Sequence, residues 1–391
     1  MSFSIDVSWK SLNKQGEELC GDKVEVLKTE DSDIVILADG MGSGVKANIL
    51  ATLTSKILGT MLREGASIES CVETVAKTLP ICKIRKVAYA TFNILQIFHS
   101  GEAYLAEFDN PSCVFIRDGK IVKYPYEVRE IEGKKVHESR FQVKKNDCFT
   151  LMSDGVIYAG AGSILNLQGW TWEAMSEYTL KCTKKTLSAS RLAVMLCQAC
   201  DELYEEKPGD DTTVAVARVI ERRVVSIFTG PPAKKEDDER IIHDFMHSDG
   251  KKVISGGTSA NIAARVMGKE IVTEISTAGP DVPPTAVIEG IDLVTEGVLT
   301  LGKCLKLLKK YVRGEFDEEF FDELDADNGA SRLAKLLIEE CTELNLFVGT
   351  AVNDAHKETE LNFDLSMRQN LVEQLVRTAG EMEKRVTVRY Y

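Results

Sequence analysis

The chain contains 391 residues with a mass of 43.3 kDa, more than one hydrophobic core usually serves, so two domains are expected. Its formal net charge of -13 argues against nucleic acid as the main partner, because phosphate backbones are normally met by basic surfaces. The sequence contains no apolar segment of the roughly 20 residues that cross a bilayer, and its N-terminus lacks the pattern of a secretory signal. These features predict a cytoplasmic protein with neither a membrane nor a nucleic-acid partner.

The ten cysteines are spread along the whole sequence, which favours buried free thiols over a disulfide framework. The closely spaced pair Cys197 and Cys200 lies in a helical pattern and has no second pair to complete a zinc site. We therefore predict core-facing thiols at both positions.

Two predicted strands lead to the stretch around which the first half is organised. Alternating apolar residues over 3–9 predict a half-buried strand, and residues 24–27 predict a second strand that follows Asp22. The apolar run 34–38 predicts a strand buried on both faces, and this run ends at Asp39. If the second and third strands are antiparallel neighbours, Asp22 and Asp39 lie close together at one end of a sheet.

Asp39 is followed by a glycine-rich loop over residues 40–44, and then by apolar residues at helical spacing over 47–61. A carboxylate held between a core strand and a long helix suits a hard cation such as Mg²⁺ or Mn²⁺, which takes oxygen ligands. Glycines in the loop allow backbone carbonyl oxygens to approach such an ion. The pattern therefore indicates a metal site at the end of this strand.

The rest of the first half predicts further strands and helices. Strands are expected near 89–99, 102–108, 112–116 and 214–219, helices near 68–79, 170–181 and 188–204, and hairpins about 118–119 and about 145–147, the latter joining strands 141–143 and 148–152. Acidic residues stand beside two of these strands, with Asp154 after one and Asp210 and Asp211 before another. Carboxylates in such positions are costly to bury unless a positive charge neutralises them.

Near residue 220 the pattern changes to strands separated by helices. Strands are expected near 224–228, 251–255, 344–348 and 385–389, an apolar segment over 286–294, and helices near 237–247, 259–267, 299–311, 331–340 and 367–383. This alternation predicts a mainly parallel sheet covered by helices on both faces. We therefore place a first domain over residues 1–219 and a second α/β domain over residues 220–391.

Four motifs of the first half occur in a characteristic order. They are Gly21-Asp22, the run Asp-Gly-Met-Gly-x-Gly-x-x-Ala from Asp39 to Ala47, Ser153-Asp154-Gly155, and Gly209-Asp210-Asp211-Thr212-Thr213-Val214. A single Asp-Gly pair is weak because turns use it constantly. The complete set over residues 1–219 resembles the PPM-type (type 2C) metal-dependent serine/threonine protein phosphatases, and most closely the bacterial branch that includes stage II sporulation protein E (SpoIIE).

This resemblance implies an αββα sandwich, in which two antiparallel sheets are flanked by helices. It also implies two bound ions, Mn²⁺ or Mg²⁺, and leaves a third ion open. Asp39 would bridge both ions, the carbonyl of Gly40 would add a backbone ligand, and Asp22, Asp154 and Asp210 would complete the ligand set directly or through water. A hydroxide between the metals would then attack the phosphorus of a phosphoserine or phosphothreonine.

The chain departs from the eukaryotic members of the resembled family at two positions. Met41 stands where many of them have a histidine that is thought to protonate the leaving group, so a water would serve instead, as in the bacterial branch. Their phosphate-binding arginine is absent, and Glu17 stands near its place. Lys14 is either a substitute for that arginine or an ordinary surface lysine.

In the second domain, predicted strand 251–255 runs into Gly256, Gly257, Thr258 and Ser259 before a helix. A glycine turn at a helix N-terminus offers unpaired N–H groups to an anion. The loop is therefore either a site for a small anionic ligand or an ordinary helix start capped by Thr258 or Ser259. No Walker-type lysine follows the glycines, and the second domain resembles no family that we can name.

The resemblance predicts a metal-dependent phosphoserine/phosphothreonine protein phosphatase whose substrate is a regulatory protein, such as an anti-sigma-factor antagonist. The second domain would sense a ligand, dock the substrate or form a homodimer. Two alternatives stay open. The phosphatase fold could serve as a metal-bound scaffold while the second domain does the work, or the enzyme could hydrolyse small phosphorylated molecules.

Overall fold

The computed structural model describes residues 3–78, 90–131, 134–161, 169–279, 281–351 and 361–391. The chain divides into two compact units, Met1–Glu221 and Arg222–Tyr391. Among the helices in the described ranges, none combines the length and the hydropathy needed to cross a membrane. The predicted helix end at 79 and the predicted strand start at 89 lie outside the described residues.

The first unit is built from strands and helices in the following chain order: β1 (Phe3–Leu12), β2 (Asp22–Lys28), β3 (Ser32–Gly40), α1 (Gly44–Arg63), α2 (Ile68–Thr78), β4 (Ala90–Phe98), β5 (Glu102–Phe108), β6 (Val114–Arg117), β7 (Lys120–Ile121), β8 (Glu127–Ile131), β9 (Lys134–Gln142), β10 (Cys148–Met152), α3 (Asp154–Ile157), α4 (Trp172–Thr183), α5 (Ala189–Leu203) and β11 (Thr212–Glu221).

Two antiparallel sheets face each other in this unit. In the described residues, one sheet has the order β2-β3-β4-β5-β9-β8 and the other has the order β1-β11-β10-β6-β7. Val35 and Leu37 of β3 pack into the core between the sheets, whereas Ile34 and Ile36 pack on the opposite face against residues of α1 and α2. Helices α4 and α5 cover the outer face of the second sheet. The αββα sandwich is therefore confirmed, and β3 is apolar throughout because both of its faces are covered.

The turn at residues 145–147 does not form the predicted hairpin. Strand β9 pairs with β5 and β8, whereas β10 pairs with β6 and β11 of the other sheet. Buried Asp147 stabilises the turn through which the chain passes from one sheet to the other. Its carboxylate accepts hydrogen bonds from Arg117 Nε at 2.9 Å and from the N–H of Lys144 at 2.8 Å. The prediction was wrong because the residues of a turn indicate only that the chain changes direction. They do not indicate which sheet each flanking strand joins.

The second unit contains, in chain order, β12 (Val224–Thr229), α6 (Asp238–Met246), β13 (Lys251–Ser255), α7 (Gly257–Met267), β14 (Val272–Glu274), β15 (Thr285–Val287), β16 (Leu293–Thr295), α8 (Val298–Val312), α9 (Glu318–Leu324), α10 (Gly329–Glu339), β17 (Glu343–Val348), α11 (Leu361–Glu381) and β18 (Arg385–Tyr390).

The described strands of this unit form one sheet in the order β14-β15-β16-β13-β12-β17-β18. Strands β16, β13, β12, β17 and β18 run parallel, and β15 and β14 add an antiparallel edge. All six residues of β12 are buried, as expected for a central strand covered on both faces. The mainly parallel sheet is therefore confirmed, and its parallel strands follow the 3-2-1-4-5 order of doubly wound folds.

Candidate metal centre and active site

Two carboxylates meet where β2 and β3 lie side by side. In the antiparallel register Asp22 stands directly opposite Asp39, and the N–H of Gly40 donates to the carbonyl oxygen of Gly21 at 3.1 Å. Asp39 continues the row of Val35 and Leu37, which faces the core between the sheets. The hairpin thus places both carboxylates at one end of the sandwich.

The facing sheet brings further carboxylates to the same place. Asp154 opens α3 directly after β10, and Asp210 and Asp211 immediately precede β11, the neighbour of β10. Burial raises the pKa of Asp39, and the charges of Asp22, Asp154, Asp210 and Asp211 raise it further. Asp22 faces Asp39 in the register, and Ser153, which precedes Asp154, hydrogen-bonds to Asp22 and to Thr213 in β11. The structure therefore brings together the four aspartates that the sequence singled out, with Asp211 as a fifth.

Ser153, the first residue of the motif Ser153-Asp154-Gly155, connects the carboxylates of the two sheets, a role that the sequence did not predict. Its hydroxyl donates to Asp22 Oδ2 at 2.7 Å and accepts from the N–H of Thr213 at 2.9 Å. The side chain is fully buried. Ser153 therefore fixes the orientation of Asp22 relative to the start of β11.

We expect Ser153→Ala to lower the free energy of unfolding by about 1–3 kcal/mol, because a buried carboxylate and a buried N–H both lose their partner. Urea denaturation in the presence of EDTA measures this effect. Ser43→Ala is the matched control, since Ser43 Oγ donates at 3.0 Å to the exposed Glu17 and its loss should cost less than about 0.5 kcal/mol. Equal denaturation midpoints for the two variants would contradict the role given to Ser153.

Lys14 lies against the acidic cluster. Its backbone N–H donates to Asp211 Oδ1 at 3.0 Å, and its Nζ is 3.5 Å from Asp210 Oδ1. Asp211 is buried, whereas the side chain of Asp210 is 46% exposed. Lys14 thus contacts both aspartates, and both interpretations of this lysine, as a substitute for the arginine or as an ordinary surface residue, stay open.

The motif glycines allow backbone segments to approach closely. A Cβ added to Gly40 would lie 2.1 Å from the carbonyl oxygen of Ala47, and one added to Gly155 would lie 2.2 Å from the carbonyl oxygen of Asp211. A Cβ on Gly21 would lie 2.7 Å from Asp211 Oδ2. These three glycines are required for packing around the carboxylates, because no side chain fits in the available space.

Tyr204 supports the segment that carries Asp154. Its hydroxyl donates to the carbonyl oxygen of Gly155 at 2.7 Å, and burial raises the pKa of Tyr204 to about 12, which keeps this donor protonated. An aromatic residue at the end of α5 carries no sequence signal for such a role, and we did not predict it.

The donor set fits a divalent cation. Asp22 Oδ1 and Asp211 Oδ2 are buried and have no hydrogen-bond partner among the described residues. Burial raises the pKa of Asp22, Asp154 and Asp211, and neighbouring carboxylates raise each pKa further. Hard oxygen ligands of this kind are those that Mg²⁺ and Mn²⁺ take.

The carboxylates are adjacent without forming a finished coordination shell. Within the described ranges, no three acidic, histidine or cysteine side chains are arranged as a metal site. Ser153 holds one oxygen of Asp22, and Lys14 holds oxygens of Asp210 and Asp211. An arriving cation would therefore have to compete with these protein donors.

One family model matches a segment that lies within the first unit. Residues 29–220 match the family model described as stage II sporulation protein E (SpoIIE). No curated protein matches the chain significantly.

Three solved structures illustrate the structural likeness. The PP2C phosphatase domain with a fragment of the regulatory domain of SpoIIE from Bacillus subtilis is 20% identical with a TM-score of 0.48, and the match covers 56% of this chain and 64% of that one. RsbX in complex with magnesium is 20% identical with a TM-score of 0.40, covering 55% of this chain and 95% of that one. The catalytic domain of the serine/threonine phosphatase PstP in complex with two manganese ions is 15% identical with a TM-score of 0.38, and the match covers 56% of this chain and 100% of that one. At these identities and TM-scores the likeness transfers no activity or substrate.

Proposed function

We propose that the chain hydrolyses phosphoserine or phosphothreonine on a regulatory protein, starting from the match of residues 29–220 to the SpoIIE family model and from the resemblance of its motifs to PPM-type protein serine/threonine phosphatases. The observation that carries the proposal is the convergence of carboxylates from β2, β3, α3 and the segment before β11 at one end of the sandwich. Such a cluster is repulsive by itself and becomes favourable when divalent cations neutralise it.

Each residue has a distinct part in the proposed site. Asp22, Asp39, Asp154 and Asp210 would hold two divalent cations, Mn²⁺ or Mg²⁺, and the carbonyl of Gly40 would add a backbone oxygen. When bound, the two ions would activate a water as the nucleophile and stabilise charge on the transferring phosphoryl oxygens.

The surrounding residues would position this set. Ser153 orients Asp22, and the N–H of Lys14 orients Asp211. Tyr204 anchors the carbonyl of Gly155 next to Asp154. Because Met41 has no titratable proton, a water rather than this side chain would protonate the leaving serine or threonine oxygen.

The substrate and the role of the second unit are also part of the proposal. Following the family resemblance, the substrate would be a phosphorylated regulator such as an anti-sigma-factor antagonist. The second unit, residues 222–391, would control the reaction by binding a ligand, docking the substrate or forming a homodimer.

Hydrolysis of p-nitrophenyl phosphate with added Mn²⁺ tests the activity. We expect Asp154→Asn to lower the rate by about 100-fold or more, because it removes a charged ligand from a metal site. Phosphopeptides containing phosphoserine or phosphothreonine should be hydrolysed faster than small phosphorylated metabolites.

Asp118→Asn is the control, since Asp118 lies in the β6–β7 hairpin with a φ of 51° that asparagine also adopts. Equal and negligible rates for wild type and Asp154→Asn would favour the scaffold alternative. Faster turnover of metabolites than of phosphopeptides would instead identify a phosphohydrolase of small molecules.

A further inference from the structure

In the second unit, two helices begin next to each other at the carboxyl ends of neighbouring parallel strands. Ser255 of β13 pairs with Thr295 of β16, and the N–H of Gly256 donates to the carbonyl oxygen of Thr295 at 2.9 Å. A Cβ added to Gly297 would lie 3.4 Å from the Cα of Gly256. The loops that start α7 and α8 are therefore in direct contact at the carboxyl-terminal edge of the parallel strands.

Both helices begin without a side-chain cap. Gly256 is the residue before α7 and Gly297 the residue before α8, and neither glycine supplies a side-chain cap to its helix. The expectation that Thr258 or Ser259 caps α7 was wrong, because both residues lie inside the helix, which starts at Gly257. Neither first turn contains an acidic residue. The two positive helix ends are thus left for an external anion.

Buried polar atoms beside these helix starts have no partner. Ser259 is 1% exposed, and its Oγ has no hydrogen-bond partner among the described residues. A Cβ added to Gly256 would lie 3.6 Å from this Oγ, so the hydroxyl faces the loop. Glu296, which joins β16 to Gly297, likewise has a buried Oε2 without a described partner. Buried polar atoms are nearly always hydrogen-bonded, and a ligand bound at these uncapped helix starts would supply a partner to both.

We propose that the starts of α7 and α8 form a site for a sugar phosphate, as carried by a nucleotide or by a free phosphorylated sugar. The phosphate accepts hydrogen bonds from the N–H groups of both first turns and from Ser259 Oγ. Glu296 accepts a hydrogen bond from a sugar hydroxyl. A bare phosphate would meet repulsion from this carboxylate, whereas a hydroxyl beside the phosphate provides the donor that Glu296 lacks.

Isothermal titration calorimetry on the full chain tests the site with three probes: ribose 5-phosphate, AMP and inorganic phosphate. EDTA is included to prevent binding of the probes in the first unit. Without cations, the carboxylates of that unit repel phosphate groups. We expect ribose 5-phosphate or AMP to bind more tightly than inorganic phosphate by about tenfold, the equivalent of one additional hydrogen bond to a charged group. Tighter binding of AMP than of ribose 5-phosphate identifies a nucleotide, and the reverse order a free sugar phosphate.

Gly257→Asp should lower the affinity for every probe by about tenfold or more, because its carboxylate would occupy the start of α7. A Cβ on Gly257 meets no atom within 4 Å, so the fold should tolerate the change. Gly380→Asp is the matched control, since it adds the same charge to α11, also in open space, and should bind as wild type does.

Two further variants separate the contacts. Ser259→Ala should weaken binding of all three probes, whereas Glu296→Gln should reduce only the preference for ribose 5-phosphate over inorganic phosphate. Thr378→Val controls for Ser259→Ala, because Thr378 in α11 also has a buried hydroxyl without a described partner. The proposal is overturned if no probe binds at millimolar concentration, if inorganic phosphate binds as well as the sugar phosphates, or if Gly257→Asp and Ser259→Ala both bind as wild type does. Phosphatase activity is not measured, so the outcome is independent of the function proposed for the first unit.

Discussion

Asp39→Asn is expected to lower Mn²⁺-dependent hydrolysis of p-nitrophenyl phosphate by about 1,000-fold or more while making the metal-free protein more stable. Activity falls because asparagine would supply no negative charge to the proposed metal site. Stability rises because burial and four neighbouring carboxylates force Asp39 to take up a proton when the metal-free protein folds, and asparagine avoids this cost. At pH 8 in EDTA we expect a gain of about 1–3 kcal/mol in the free energy of unfolding, measured by urea denaturation.

The stability gain of Asp39→Asn should depend on pH in a defined direction. Burial and the neighbouring carboxylates raise the pKa of Asp39 to about 9, well above its usual range in an unfolded chain. The folded state therefore binds the Asp39 proton more tightly than the unfolded state does. This group contributes its full stability below about pH 4 and loses it as the pH rises toward about 9. The difference between Asp39→Asn and wild type should thus be small at pH 4 and grow as the pH rises.

Two controls accompany Asp39→Asn. Asp118→Asn, in the β6–β7 hairpin, should change neither activity nor the pH dependence of stability. Added Mn²⁺ should stabilise wild type more than Asp39→Asn, because only a folded state with an intact site gains from binding. A variant that keeps its activity, or that is less stable than wild type in EDTA at pH 8, would exclude Asp39 from the centre of a metal site.

Gly40→Ala is expected to destabilise the protein by about 3 kcal/mol and to abolish metal-dependent activity. The added methyl group would lie 2.1 Å from the carbonyl oxygen of Ala47 and 3.0 Å from that of Gly21. Both neighbours are backbone atoms, so no side-chain rotation can relieve the clash. Separating α1 from β3 would also displace Asp39 and the carbonyl of Gly40, on which the proposed site depends.

Gly209→Ala tests whether Gly40→Ala acts through this contact. Gly209 stands next to Asp210, but its added Cβ would meet only the ring of Tyr204 at 3.5 Å, an ordinary contact. We expect less than about 1 kcal/mol of destabilisation and nearly normal activity for this variant. Denaturation midpoints and p-nitrophenyl phosphate hydrolysis measure both variants. If Gly40→Ala were as stable as Gly209→Ala, the close approach of α1 to β3 would not be a constraint on the fold.

Much of the fold could be predicted because the pattern of apolar residues in a segment matches the burial of that segment in the folded protein. The apolar run 34–38 predicts a strand covered on both faces, and β3 is buried there on both sides. The alternation of strands and helices after residue 220 likewise predicts a parallel sheet, and the five parallel strands confirm it. Strand and helix positions of this kind can be predicted from the spacing of apolar residues within each segment.

The candidate site was predicted in two different ways. The proximity of Asp22 and Asp39 follows from a short hairpin, which local sequence can indicate. The proximity of Asp154 and Asp210 to that pair was expected only from the order of motifs in a resembled family. The contacts of Ser153 and Tyr204 were not predicted because their partners, Asp22 and Gly155, lie 131 and 49 positions away in the sequence. Periodicity carries no information about contacts at that separation.

Local patterns were enough to predict most of the strands and helices, their apolar faces and the acidic residues at strand ends. Three features could be seen only in the folded chain: β10 leaves the sheet of β9, Ser153 connects the ends of both sheets, and α7 and α8 start in contact without caps. The physical reason is that secondary structure follows from interactions between near neighbours in the chain. The carboxylate cluster and the pair of helix ends depend instead on how distant segments pack. Buried charges and buried N–H groups at such places are stable only when a counter-charge or a hydrogen-bond acceptor is present.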